Sequence, residues 1–249
     1  MRIDEFFMLH PETAVAFSGG VDSSYLVYLA KRYADKVCAY YVRTQFQPQF
    51  EYDDALAVSR KLDVPMITIE YDILSDDNVR NNPDNRCYYC KKRIFSAIMN
   101  KAKEDGFETV IDGTNADDDV SDRPGMTALS EYGVLSPLRI CGITKQVARD
   151  GAKQAGLPVW DKPSYACLAT RIPAGQMIDE KLLQRTEEAE DYLSKLGFRD
   201  FRVRTRGNDA LIQIVRSQDP LFEENRGAIF EKLGKMYNTV TLDKDRRDE

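Results

Sequence analysis

The segment ETAVAFSGGVDSSYLVYLAKRY, Glu12 to Tyr33, decides how the rest of the chain is read. Ala14 to Phe17 is a short apolar run without a polar break, which suits a strand buried in a parallel sheet. From Ser24 the period changes. Leu26, Leu29, Ala30 and Tyr33 recur at i, i+3, i+4 and i+7, the mark of an amphipathic helix. Between strand and helix lie Ser18, Gly19, Gly20, Val21, Asp22 and Ser23. Paired glycines allow a tight turn and close approach to a ligand, and the N–H groups at a helix start face an anion. Ser18 and Ser23 add hydroxyls. Asp22 is acidic where an anion is expected, so it is expected to work through a cation.

No Walker loop is present, because no G-x-x-x-x-G-K-S/T run occurs and no lysine follows the glycines. A G-x-G-x-x-G dinucleotide fingerprint is missing as well. SGGVDS resembles the pyrophosphate loop of the ATP pyrophosphatases, which split ATP into AMP and pyrophosphate. An ordinary glycine-rich turn is the bland alternative. The resemblance implies ATP held by Ser18, Gly19, Gly20, Asp22 and Ser23.

The chain has 249 residues, enough for one core domain and a smaller appendage, and its apolar fraction of 43% is ordinary for a folded protein. No run of about 18 apolar residues suggests a membrane span. MRIDEFFMLHPE reads as a short lead-in helix rather than a signal peptide, so a cytoplasmic location is expected. A net charge of −6 argues against broad nucleic-acid binding. Local basic groups remain, Lys91 to Arg93 and Arg202, Arg204, Arg206, either solvated faces or anion sites. A single histidine, His10, makes histidine acid–base chemistry improbable. Five cysteines in a reducing compartment are not a disulfide framework.

In order, Lys36 to Arg43 reads as a second strand carrying a buried Cys38, Gln49 to Leu62 as a helix, and Pro65 to Tyr71 as a third strand. This alternation predicts an α/β fold with a doubly wound parallel sheet. Cys87 and Cys90 stand C-x-x-C at a helix start, where a shared metal, a disulfide or a redox pair are all open. Thr109 to Ile111 is a fourth strand, and Gly113 and Thr114 follow it on the crevice side of such a sheet. Ala116 to Arg123 adds acids that can hold Mg2+ or simply be solvated. A loop ends at Arg123–Gly125, and a helix runs from Thr144 to Ala155. Trp160 to Ile178 has no period and centres on Cys167, with Thr170 and Arg171 beyond it. A loop of this length carries function or packs around a buried cysteine. Lys181 to Leu196, the strands Phe201 to Arg206 and Ala210 to Val215, a helix to Leu233 and a strand at Val240 to Leu242 make a small α/β unit. DKDRRDE at the end is expected to be disordered. The expected division is 1–160, a functional loop at 161–178, and 179–249.

Together the motifs resemble one family, the ATP-dependent sacrificial sulfur transferases called LarE. SGGVDSS at Ser18, RCYYCK at Arg86, DGTNADD at Asp112, DRPG at Asp122 and SPL at Ser136 carry the resemblance. LPVWDKPSYACLATRIPAG from Leu157 and LGFRDFRVR from Leu196 carry it more specifically. It implies a HUP-like PP-loop domain and a C-terminal domain for sulfur transfer and oligomerisation. It implies that ATP adenylates a carboxylate of a pyridinium dicarboxylate mononucleotide, and that sulfur from sulfide or another donor converts it to a thiocarboxylate for the nickel-pincer nucleotide. Cys167 matches the position carrying the sulfur. Glu190, Arg202, Thr170 and Arg171 match residues lining that site, with a threonine where serine is more usual. Members with a lone cysteine sacrifice its sulfur and leave dehydroalanine. Members with three cysteines hold an iron–sulfur cluster, and Cys87, Cys90 and Cys167 place this chain with them. Three thiolates leave one iron of a 4Fe–4S cluster open to sulfide; a zinc site with an open position is the alternative. A tRNA thiolase, an amide-forming ligase of the NAD synthetase type and a nucleotide sensor are the competing functions.

Overall fold

β1 (Glu12–Ala16) is one of the two inner strands of the first sheet of the computed structural model; residues 1–118 and 124–247 are described. A short helix α1 (Ile3–Leu9) precedes it. The chain then runs through α2 (Val21–Tyr33), β2 (Lys36–Arg43), α3 (Gln49–Leu62), β3 (Met66–Glu70), the one-turn α4 (Asp77–Arg80), α5 (Arg86–Glu104) and β4 (Thr109–Asp112). Three helices follow, α6 (Pro124–Glu131), α7 (Pro137–Ile140) and α8 (Lys145–Gln154). The remainder is α9 (Glu180–Lys195), β5 (Arg202–Arg206), β6 (Asp209–Gln213), α10 (Asp219–Leu233) and β7 (Thr239–Leu242). α6 begins where sequence suggested only the end of a loop. None of the described helices is long and apolar enough to cross a membrane.

The strands lie in the order β3-β2-β1-β4, all parallel. Their apolar runs are unbroken because helices cover both faces. Ala14, Cys38, Tyr40, Val42 and Val110 pack with Ile98 and Ala102 of α5. Their neighbours Val15, Ala39, Tyr41 and Ile111 pack on the opposite face with Leu26, Val27, Ala55 and Ala152 of α2, α3 and α8. Successive strand residues point to opposite faces, so each strand supplies two cores at once. Each large apolar side chain buried this way contributes roughly 1.5–3 kcal/mol.

Strand order reverses between β1 and β4, and in open α/β sheets the ligand crevice lies at that reversal. Ala16 is registered against Asp112, so the two strands end side by side. Gly113 follows directly at the end of β4. A Cβ on it would stand 2.8 Å from the Ser23 nitrogen and 2.9 Å from Ser23 Cα. The β4 exit therefore packs directly on the first turn of α2.

Two compact units divide the chain, Met1–Ile73 with Asn85–Lys162, and Leu74–Asp84 with Pro163–Glu249. In the second, β5 and β6 form an antiparallel hairpin and β7 joins β6 in parallel. Its core gathers Leu193, Phe198, Val203, Ile212, Phe222, Ile229 and Leu233. Asp243 to Arg247, expected to be disordered, are instead held on this unit. Asp243 N–H donates to Ile212 O (2.8 Å), Arg247 N–H donates to Ile214 O (3.0 Å), and Arg247 bridges Val215. Parallel strand pairing satisfies their amides, which outweighs the charged composition.

Gly113→Ala should lower stability by roughly 1–3 kcal/mol, the cost of overpacking against backbone that cannot move aside. Gly20→Ala, whose Cβ would meet only Ser18 Oγ at 3.5 Å, should leave the thermal midpoint nearly unchanged. Equal midpoints for both variants would contradict the close approach.

Candidate functional site

Side chains and backbone lock the loop after β1 before any ligand is considered. Ser18 and Ser23 hydroxyls lie 3.0 Å apart, and the Ser23 hydroxyl donates to Gly20 O at 3.2 Å. Gly19 has φ +75°, and a Cβ there would meet Glu51 O at 2.9 Å. Glycine supplies both the left-handed backbone and the space. α2 starts at Gly20 with no side-chain cap, so its first amides are left to the loop.

Asp22 forms an ion pair with Lys145 through Oδ2, while Oδ1 is buried with no partner among the described residues. A buried carboxylate oxygen without a donor is costly unless a cation completes it. That orphaned oxygen fits Mg2+ accompanying ATP. Lys145 is the residue that sequence reading missed. It opens α8 after the Thr144 cap, and a cation in a first helical turn runs against the helix dipole. That conflict was the available signal. Asp117 accepts the Lys145 N–H at 2.8 Å. The acids 119–123 of the proposed Mg2+ loop lie outside the described residues.

Across the reversal, Asp112 accepts from Thr114 Oγ1 at 2.5 Å and from Ser136 Oγ at 2.6 Å. Burial pushes its carboxyl above the ordinary value, and the two hydroxyls pull the other way. Thr114 is thus turned onto Asp112.

Cys87 and Cys90 stand in the first two turns of α5, three residues apart and on one face; Cys87 is exposed and Cys90 half-buried. The Arg86 guanidinium lies 3.7 Å from Cys87 Sγ. Cys167 is half-buried at the start of the turn Leu168–Arg171 in the second unit. None of the three is in a disulfide. Cys87 and Cys90, two thiols one turn apart on one helix, have the chemistry of soft-metal donors. Among the described residues no group of three or more His, Cys, Asp or Glu side chains is gathered as a metal site.

Around Cys167 the second unit is organised by Glu190. Arg171 grips Glu190 with two hydrogen bonds, Nε to Oε1 at 2.7 Å and Nη2 to Oε2 at 3.0 Å. Both side chains are buried, Arg171 entirely. Tyr165 OH donates to Glu190 at 2.6 Å and Val203 N–H at 2.8 Å. Arg171 Nη1 also donates to Ala166 O and to Thr170 Oγ1, both at 2.8 Å, while Thr170 Oγ1 donates to Cys167 O at 2.8 Å. Arg171 is therefore engaged in shaping the Cys167 loop. Arg202 holds the same loop from β5, donating to Ser164 O at 2.9 Å, and Arg204 donates to Thr170 O at 2.6 Å. Burial, then the charges of Arg171 and Arg247, push Arg202 down to about 10, and the same causes lower Arg204. Arg204 belongs to the basic group read from sequence, whereas Tyr165 and Arg247 were not singled out, since nothing local marks them.

A family model described as Asparagine synthase matches residues 9–118. Strand order, loop and match define a PP-loop ATP pyrophosphatase domain of the α/β class with a small C-terminal mixed sheet. The chain is 32% identical to the pyridinium-3,5-bisthiocarboxylic acid mononucleotide synthase of Lactiplantibacillus plantarum, over 92% of this chain and 84% of the relative. It belongs to the LarE family of ATP-dependent sulfur transferases. An uncharacterized protein of Synechocystis sp. is 33% identical over 97% of this chain and 92% of its own length. A tRNA-specific 2-thiouridylase, MnmA 2, of Clostridium botulinum is 30% identical over 60% of this chain and 51% of its own.

Removing either partner of the Glu190–Arg171 pair leaves a buried charge unpaired, so Glu190→Ala and Arg171→Ala should each cost about 3–5 kcal/mol. The double variant should cost well under the sum, because the pair is lost only once. Denaturant titration of the three variants tests this, and simple additivity would rule out the coupling.

Proposed function

We propose that this enzyme adenylates a carboxylate of a pyridinium dicarboxylate mononucleotide and replaces the AMP with sulfur, giving the thiocarboxylate. The observation that carries the ATP half is the buried, unpartnered Asp22 Oδ1 beside the uncapped start of α2. In this reading Ser18, Gly19, Gly20 and Ser23 cradle the pyrophosphate with amides and hydroxyls. Asp22 holds Mg2+, and Gly113 and Thr114 border the nucleotide. Lys145, paired with Asp22 in the absence of the cation, is released to neutralise phosphate charge. A substrate carboxylate oxygen attacks the α-phosphorus, forming the acyl–AMP bond as the bond to pyrophosphate breaks. A sulfur nucleophile then attacks the acyl carbon, the C–S bond forms, and AMP leaves with the electron pair.

For the sulfur half, Cys87, Cys90 and Cys167 are assigned as ligands of a 4Fe–4S cluster. Their thiol chemistry and the family resemblance support this. When bound, the cluster supplies an iron not ligated by protein from which sulfide is delivered. Glu190 and Arg171 hold the Cys167 loop in shape, and Thr170 and Arg202 face the substrate beside it. The donor is sulfide or another sulfur carrier. The first unit is taken as the adenylating domain and the second as the sulfur-transfer domain, through which the chain forms a homo-oligomer in the cytoplasm. Acidic net charge disfavours a tRNA substrate.

Asp22→Ala should abolish pyrophosphate release in a coupled phosphate assay without lowering the thermal midpoint. Normal release would remove the assignment of Asp22.

Protein purified without oxygen should be brown and contain iron and acid-labile sulfide. Each of Cys87→Ala, Cys90→Ala and Cys167→Ala should lose colour and thiocarboxylate formation together, while Cys38→Ala and Cys141→Ala keep both. Dehydroalanine at position 167 after one turnover, with Cys87→Ala fully active, would replace the cluster by the sacrificial route.

A further inference from the structure

The run LPVWDK, Leu157 to Lys162, opens the motif that contains Cys167 but has no part in the chemistry assigned above. Lys162 is the last residue of the first unit, and the loop that carries Cys167 starts there. Lys162 is held from two helices, and each contact lies within that unit. Its ammonium pairs with Asp54 of α3 and stands 4.6 Å from the centre of the Phe50 ring on the same helix. Its carbonyl accepts from Arg149 Nη2 of α8 at 3.3 Å. Pro163 comes next, and a residue before proline is biased to extended backbone. Ordering a lysine costs side-chain entropy, and an exposed ion pair returns little of it. This lysine is 20% exposed and is constrained at ammonium, carbonyl and backbone alike. Such a residue fixes the course of the chain.

The helix that grips it is also the one that crowds the ATP loop. A Cβ on Gly19 would stand 2.9 Å from the Glu51 carbonyl oxygen and 3.0 Å from Ala55 Cβ. Phe50 and Asp54 alternate with these two residues along the same stretch of α3. That stretch therefore borders the loop assigned to the pyrophosphate and holds the residue at which the chain leaves the first unit. The contacts with Gly19 come from the backbone and the Ala55 methyl, so they do not depend on the Asp54 carboxylate.

We propose that Lys162 is a positioning residue for the sulfur step: pinned to α3 by Asp54, it fixes the point from which the Cys167 loop departs. This rests on the assignment of Cys167 to sulfur delivery, by the cluster and the sacrificial route alike. Lys162 acts through the backbone that follows it. Adenylation, which Cys167 does not serve, is spared.

Single-turnover kinetics with ATP, sulfide and the pyridinium dicarboxylate mononucleotide, following pyrophosphate and thiocarboxylate separately, tests this. Lys162→Met keeps the stem of the side chain and removes the charge. It should leave the pyrophosphate rate within about twofold and lower the thiocarboxylate rate roughly tenfold, inside the ~100-fold that a misplacement of about 1 Å can cost. Lys162→Arg should recover most of that rate, because arginine also pairs with a carboxylate and stacks on an aromatic ring. Asp54→Ala should slow thiocarboxylate formation to a similar degree, and the double variant should be no slower, since one contact is lost only once. Equal slowing of both products would mark a merely structural role and overturn the proposal. An unchanged thiocarboxylate rate in the single variants, or additive losses in the double one, would overturn it too. If Lys162→Met fails to fold, Asp54→Ala, at a helix position 37% exposed, decides between these outcomes by itself. Failure of the unaltered protein to form either product would remove the proposed reaction and the role of Lys162 together. Normal products from the unaltered protein and from both variants would remove the role of Lys162 alone.

Discussion

Backbone contact between Gly113 and the first turn of α2 is the constraint on which the nucleotide half of this molecule depends. No side chain fits between residue 113 and Ser23. The end of β4 is therefore clamped to the start of the helix whose amides face the loop. Register between Ala16 and Asp112 sets the distance from below, and Glu51 and Ala55 of α3 crowd Gly19 from the other side. The loop is thus held by three elements, and its polar groups need not be ordered by a ligand. Preorganisation of this kind lowers what binding must spend on ordering.

In the second unit a carboxylate takes the corresponding part. Glu190 receives four hydrogen bonds, from Arg171 twice, from Tyr165 and from Val203. A buried ion pair adds little net stability over an apolar pair of the same size. Its value here is positional, since Arg171 passes the constraint on to Ala166 O and Thr170, and Thr170 passes it to Cys167 O. Cys167 sits on a loop of irregular backbone in which Ser164 O and Thr170 O accept from arginines of β5 and Ala166 O accepts from Arg171 of the loop itself.

Much of this was legible in the residues. Apolar runs at Ala14, Lys36, Pro65 and Thr109 mark buried parallel strands, and the change of period after Ser23 marks the helix. LPVWDKPSYACLATRIPAG points to the family more sharply than any periodicity does. What was not legible is what depends on contact across long sequence distance. Lys145 meets Asp22 although 123 positions apart, and no local pattern announces that pairing. Arg247 lies in a charged terminal run that composition alone assigns to solvent. The segment 74–84 carries turn residues and gives no sign that it belongs with residues beyond 163.

That last feature bears on how the gene can be cut. The second unit is discontinuous, because residues 74–84 leave the first unit and return to it before the long C-terminal stretch begins. Asn82 donates from its side chain to Pro173 O at 2.8 Å, Gly175 N–H returns to Asn82 O at 2.8 Å, and Ile178 N–H donates to Arg80 O at 2.8 Å. A fragment starting at residue 163 would lose these acceptors and donors, leaving Gly175 and Ile178 amides without their partners. Bisection at the apparent boundary is therefore the wrong way to obtain the small unit by itself. A fused gene that places 74–84 ahead of 163 through a short linker, in the manner of a circular permutant, respects the way the chain is threaded.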